Sequence, residues 1–365
     1  MTKFVFEGFP FVCAVIGYFT FIRPARLGVF GKSFWLMFFL LGSLKFVLFE
    51  TLGGRSFSPE LPELMIWTLN FVNVVVYVLV TLSLFWWTRR GRRVVLPAVA
   101  VALAAWGLWE AFRVPAVKEA ELTFKNLPAE LDGYRILQIS DLHCSSAARA
   151  WRTRAVVNVA NAAKADLICL TGDYVDGRVA HRAEDMRPLK ELRARDGVWC
   201  VTGNHEFYLD GPRWEKWYRE NGFRFLVNDC VHPQPRLTLA GVNDPVVESF
   251  GGYRDGLPDV AAAFRESRLG DFRVLLSHRP KAFRENVQAH GVDLQLSGHT
   301  HGGFAPVLDW LVALLNGGFV RGLYREGDAQ LYVNPGSGQW AGLPLRFFDA
   351  SEITVFTLRR WHLTR

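Results

Sequence analysis

Residues 134–143 read YRILQISDLH, an apolar strand-like run that ends on an aspartate and a histidine two residues apart. Extended backbone sends residues i and i+2 to the same side, so Asp141 and His143 can face one way together. The construction recurs. DLICLT (166–171) runs into Gly172-Asp173, GVWCVT (197–202) into Gly203-Asn204-His205-Glu206, FRVLLS (272–277) into His278, and VDLQLS (292–297) into Gly298-His299-Thr300-His301. In α/β sheets the carboxyl edge is where ligands bind, because buried strands fix the backbone while the loops beyond carry polar groups. Taken singly, an Asp or Asn after a strand makes a cap or an Asx turn, and a lone His is a surface or core residue. Together, Asp141, His143, Asp173, Asn204, His278, His299 and His301 form a mixed nitrogen and oxygen set of the size two metal ions need.

The rest of the pattern agrees with an α/β domain. Further strands are expected at 223–227, 236–242, 330–333 and 352–358, and helices at about 152–164, 181–194, 212–221, 258–267 and 280–289. Strands alternating with helices and then following one another imply two packed sheets flanked by helices. Five cysteines without a CxxC pair give no disulfide framework or zinc ribbon and read as small buried hydrophobes.

The first third is different. A bilayer span needs roughly 20 apolar residues, and four candidates lie at about 4–22, 34–50, 64–88 and 94–112; Glu7 and Pro10 interrupt the first and Lys45 the second. Arg23, Arg26 and Lys32 follow the first, and Arg89, Arg90, Arg92 and Arg93 follow the third. Basic loops face the cytoplasm, so four spans place everything after the last one outside, whereas three would leave it inside. The expected division is a membrane domain over 1–115 and a globular domain over 116–365, in a multi-pass protein of the inner or plasma membrane with an extracytoplasmic catalytic domain. Charge follows this division. Residues 1–115 hold 11 Lys and Arg against five Asp and Glu, leaving 31 against 30 for the remainder, so most of the formal net charge of +7 belongs to the anchor. The globular part lacks the basic excess that nucleic-acid binding requires.

In order, DLHCSS, GDYVDG, GNHE, SHRP and GHTHGG resemble the five sequence blocks of the calcineurin-like metallophosphoesterases, closely over 134–303 and more loosely over 120–365. LAGVND (239–244) and GLYREGDAQLYVNPGSG (322–338) are similar to the bacterial membrane-anchored branch. The resemblance implies a four-layer αββα sandwich and two divalent metal ions, Mn²⁺, Fe, Zn²⁺ or Mg²⁺ all being compatible with the ligand types. It assigns Asp141, His143 and His301 to one metal, Asn204, His278 and His299 to the other, and Asp173 to both, with His205 reaching the phosphate. Purple acid phosphatases carry a metal-binding Tyr three residues after the bridging Asp; here that position is Asp176, with Tyr174 earlier, so an iron–tyrosinate centre is not expected. Glu206 and Asp176 are candidates to orient His205, Glu206 having a plainer reading as a helix-start residue.

The implied reaction is hydrolysis of a phosphomonoester, phosphodiester or pyrophosphate by metal-activated hydroxide, with catalytic roles for Asp173 and His205. GxSxG and GxxxxGK[ST] are both absent. The membrane domain makes the bilayer a partner and points to a lipid or lipid-linked substrate, with 304–320 (FAPVLDWLVALLNGGFV) and Trp340 forming an apolar wall; a core helix under the sheet edge is the plainer reading of that stretch. Alternatives are a lipid A type pyrophosphohydrolase, which works on the cytoplasmic side, and a membrane scaffold without turnover.

Overall fold

The computed structural model describes residues 8–25, 27–54, 58–85, 95–250, 256–303, 308–347 and 350–361. Arg26, Arg55, Trp86, Trp87 and Arg89 to Arg93, on which part of the topology expectation rests, lie outside them, as do 304–307 and the ends of the expected spans at 4–7, 86–88 and 94. The chain forms two compact units, one of residues 1–112 with Trp340–Arg346 and the other of 113–339 with 347–365. Sequence did not show that 340–346 belongs to the first unit.

Two helices of the first unit, Glu63–Phe85 and Val95–Phe112, are long and apolar enough to cross a membrane. Where one span was expected at 34–50, two helices, Val29–Ser43 and Lys45–Gly53, meet at a 56° bend, and Phe9–Ile22 is a shorter apolar helix. Lys45 sits at this break. It is fully buried, and its Nζ donates to the Gly342 carbonyl at 2.7 Å and to Asn70 Oδ1 at 3.3 Å. A buried amine in apolar surroundings needs such acceptors. Elsewhere Gly42 lets two helices approach closely: a Cβ there would lie 2.7 Å from Val76 Cγ2, and the Gly42 carbonyl accepts from Asn73 Nδ2 at 2.8 Å.

In the second unit, one sheet has the order β1-β11-β2-β3-β4, with β1 Ala116–Phe124, β2 Arg135–Ile139, β3 Leu167–Thr171, β4 Val198–Val201 and β11 Glu352–Arg360. The other has the order β5-β6-β7-β8-β10-β9, with β5 Asp229–Gln234, β6 Leu237–Gly241, β7 Phe272–Leu276, β8 Leu294–Ser297, β9 Gly322–Glu326 and β10 Ala329–Val333. Strands β2 to β4 run parallel, as do β6, β7, β8 and β10.

Period two divides each strand between two cores. Leu167 and Cys169 face the second sheet, joining Ile136, Val201 and Phe356 against Leu239, Val274, Leu276, Leu294, Leu296 and Tyr332. Ile168 and Leu170 face the other way, against Val156, Val157, Trp214 and Tyr218 of the flanking helices. Burial on both faces is why these strands read as unbroken apolar runs. Among the polar crosslinks between the sheets, buried Gln138 donates to Thr171 Oγ1 in its own sheet at 2.9 Å and to the Ser297 carbonyl of the other at 3.0 Å, and Gln330 donates to the Thr123 carbonyl at 2.8 Å.

Differences from the sequence reading fall at the edges. Residues 223–227 form no strand and make only an isolated bridge, Phe225 with Cys200. Strands β1, β5 and β9 were not anticipated, because edge strands expose one face and carry charged residues, as in AVKEAELTF. The cysteines meet expectation, four buried and Cys230 half-buried, none bonded to another.

Phe356 is fully buried and packs edge-on to Tyr332 with ring centroids 4.8 Å apart. Phe356→Ala is expected to cost about 3–5 kcal/mol. Thermal unfolding of the detergent-solubilised chain reads this as a marked fall in midpoint, and an unchanged midpoint refutes a shared inter-sheet core.

Candidate metal centre

All seven expected ligands and His205 lie just past the carboxyl ends of β2, β3, β4, β7 and β8. Both sheets therefore contribute to one edge. The turns there are unusual: Asp141 (φ 50°), His143 (φ 49°), Asp173 (φ 57°), His299 (φ 74°) and His301 (φ 49°) all adopt left-handed backbone. This conformation costs a non-glycine residue about 1–3 kcal/mol and persists only where the surroundings enforce it. It turns the chain sharply enough to bring successive side chains to one point. Glycine is required beside it, since a Cβ on Gly203 would fall 2.1 Å from Asp173 Oδ1.

Three groups of donors result, each with its atoms mutually within 4.8 Å: Asp141, His143 and His301; His143, Asp173 and His205; Asp173, His278 and His299. The first and third groups are the histidine and aspartate parts of the two expected ligand sets. His143 and Asp173 link the groups into a chain. Asp173 Oδ2 lies 3.1 Å from His278 Nε2 and 3.9 Å from His143 Nε2.

The donor chemistry fits metal ions. His143 Nε2 and His301 Nε2 point at each other at 3.1 Å, and Asn204 Oδ1 is buried without a hydrogen-bond partner. Buried polar atoms are normally satisfied, and cations between these donors would satisfy them. His278 Nδ1 lies 2.7 Å from the Thr171 carbonyl, a partner that fixes the tautomer and turns Nε2 inward.

Asp176 and Glu206, both buried, have separate duties. Asp176 Oδ1 lies 3.1 Å from His143 Nδ1 and 2.6 Å from His205 Nδ1, so one carboxylate orients both rings. Glu206 binds backbone instead. Its carboxylate accepts backbone N–H bonds from Gly203 at 2.6 Å, Asp173 at 3.0 Å and Tyr174 at 2.7 Å, clamping the GDY loop to the GNHE loop. No spacing rule reveals this role, because its partners are backbone amides 32 and 33 residues away and within its own turn. Arg279 Nε and Nη2 are held by Asp244 at 2.6 and 2.9 Å.

Electrostatics follow the same contacts. Burial would push the Asp173 carboxyl up, but His278 and His205 hold it well below its usual range. Burial likewise opposes charge on His278 and His205, yet Asp173 outweighs it, with Asp141 and Asp176 adding to the effect, and raises them to about 10 and about 9. Burial is the main cause lifting Glu206 to about 7, with the Asp173 charge adding to it.

Residues 134–303 match the family model described as calcineurin-like phosphoesterase. The chain is 33% identical over 256 residues to the uncharacterized metallophosphoesterase YkuE of Bacillus subtilis, covering 67% of this chain and 86% of that protein. It is 32% identical to an uncharacterized metallophosphoesterase of Helicobacter pylori strain J99, over 69% of this chain and 66% of that one. A transmembrane protein with metallophosphoesterase domain from Danio rerio is 30% identical over 74% of this chain and 63% of its own length. The chain belongs to the calcineurin-like phosphoesterase family, for which a dinuclear divalent metal centre is implied. It spans about two thirds or slightly less of the Helicobacter and Danio relatives.

Two predictions follow from this geometry. Asp176→Asn keeps the shape but removes the charge that orients His143 and His205, and should weaken metal binding about 10–100-fold; metal retention after dialysis against graded chelator measures it, and wild-type retention refutes the positioning role. In the metal-free protein His278 is protonated at neutral pH, its folded pKa standing above the unfolded value of 6.5. Its stabilising pairing with Asp173 is therefore complete below about pH 6.5 and lost as pH rises toward 10. Metal uptake near neutrality must displace that proton. Calorimetric titration of metal in buffers of different ionisation heat should show release on the order of one proton, and buffer-independent heats would rule this out.

Proposed function

We propose that the chain is a membrane-anchored, dinuclear-metal-dependent phosphoesterase that hydrolyses a phosphomonoester, phosphodiester or pyrophosphate of a lipid or lipid-linked substrate. The observation that carries the hydrolytic part is the chain of three donor groups at one edge of two sheets. In this reading Asp141, His143 and His301 would hold one cation and Asn204, His278 and His299 the other, with Asp173 available to both. Bound cations supply charge neutralisation of the phosphoryl group and activation of water. His205, held by Asp176, carries a proton toward the leaving oxygen.

Two features support the lipid part: the apolar helices of the first unit, and the helix Asp309–Leu315, none of whose residues is buried. That exposure overturns a core helix under the sheet edge. Trp340, in contrast, is buried and belongs to the first unit, so it is dropped from the proposed wall. An extracytoplasmic second unit rests on the basic sequence flanking the expected spans; a reporter fused after Arg113 and active only in the cytoplasm would refute it.

Purified full-length protein is expected to hydrolyse bis(p-nitrophenyl) phosphate when loaded with one of Mn²⁺, Fe²⁺, Zn²⁺ or Mg²⁺. His205→Ala should lower kcat about 10²–10⁴-fold, and Asp173→Asn should abolish both turnover and full metal loading. A metal-loaded wild type without turnover on this ester or on membrane lipid extracts would instead favour the scaffold reading. Polar substitution of Leu308, Leu311 or Leu315 should reduce lipid turnover selectively, and equal loss on the soluble ester counts against a lipid substrate.

A further inference from the structure

The helix Asp309–Leu315 follows the metal-binding loop with only five residues between its start and Gly303. Trp310 is 68% exposed, Leu314 73%, Leu315 63%, Leu311 39% and the preceding Leu308 37%. At 100° per residue, 310, 311, 314 and 315 occupy one side, while Val312 and Ala313, both half-buried, occupy the other. The apolar stripe therefore faces outward, the reverse of a helix packed on its own core. Single exposed apolar residues are ordinary, but a Trp and several Leu on two turns form a contiguous patch of the kind that marks an interaction site.

Its charges select the occupant. Asp309, the one acid between 308 and 318, is paired with Arg321 Nη2 at 2.8 Å. Two exposed cations stand at the opposite end: Lys281 lies against Gly317, and Arg284, which is also paired with Glu326 at 3.6 Å, donates from Nη1 to the Gly317 carbonyl at 2.9 Å. An outward Trp–Leu face with a neutralised acid and a basic end is the pattern of a helix lying in a lipid interface, the cations meeting phosphate headgroups. The same chain carries helices apolar enough to cross a membrane, which supplies the surface.

We infer that Trp310, Leu311, Leu314 and Leu315 dip into the headgroup layer of the bilayer, making this helix a monotopic contact of the globular unit. The inference rests on the membrane-anchored part of the proposed function and not on the identity of the substrate. The contact is joined rigidly to the metal centre. Arg321 donates to the Gly302 carbonyl at 2.8 Å while pairing with Asp309, and Thr300 Oγ1 donates to the Val320 carbonyl at 2.5 Å. These bonds clasp both ends of the segment to the loop that carries His299 and His301, so a helix seated in lipid holds that loop at a fixed depth from the headgroups.

The test uses the full chain, with Cys230 replaced by Ser and a nitroxide attached to cysteine at 311, 314, 315 or, as a control, at the exposed Asp328, in nanodiscs of phosphatidylcholine and phosphatidylglycerol at 3:1. Labels at 314 and 315 should collide more with oxygen, which concentrates in lipid, than with a water-soluble nickel chelate, and the label at 328 should do the reverse. Chelate accessibility at 314 and 315 equal to that at 328 overturns the inference. So does dipolar broadening that disappears on dilution with unlabelled protein, which assigns the face to a second copy, and so does shielding from both reagents, which assigns it to packing within the chain. Because the readout needs no turnover, it stands or falls separately from the lipid-phosphoester reading.

Discussion

Left-handed backbone at five chemically important residues is the constraint on which the second unit depends. Asp141, His143, Asp173, His299 and His301 each leave their strand through a conformation that L-residues avoid, at a combined cost comparable to the net stability of a typical domain. Such turns survive only above a rigid floor. Here the floor is the inter-sheet core, with Gln138 bonded to Thr171 in its own sheet and across the core to Ser297, beneath strands whose carboxyl ends are buried.

Two carboxylates complete the arrangement without belonging to the expected ligand set. Asp176 orients two imidazoles at once, and Glu206 ties two loops together through their amides. Each stands where a side chain that merely bound metal would not serve: Asp176 behind the rings, Glu206 beneath the turns. Like the Arg321 clasp at the other side of the site, they convert separate strand ends into one body, so small displacements at any loop are resisted by the others.

Legibility in the sequence followed burial. Strands covered on both faces announce themselves as apolar runs, and the residues that end them carry the chemistry, so the ligand set and the two-sheet class could be read from 134–303. Edge strands β1, β5 and β9 could not, because their exposed faces carry the charged residues of ordinary loops. The expected span at 34–50 shows the same limit: hydropathy registers an apolar stretch, but not the bend at Leu44 nor the acceptors that Lys45 finds beside it, among them a carbonyl 297 residues away.

Sequence by itself determined which residues were candidates for metal chemistry, since strand periodicity and residue type are local properties that survive without coordinates. It also determined that the first third is apolar and basic while the rest is nearly neutral. Tertiary structure alone decided which donors share a site, that Glu206 is a clamp and Asp176 the orienting group, that 340–346 joins the first unit, and that the helix at 309–315 turns its apolar side outward. These facts depend on contacts between residues far apart in the chain, and such contacts are set by how the sheets and helices pack, which no local pattern encodes.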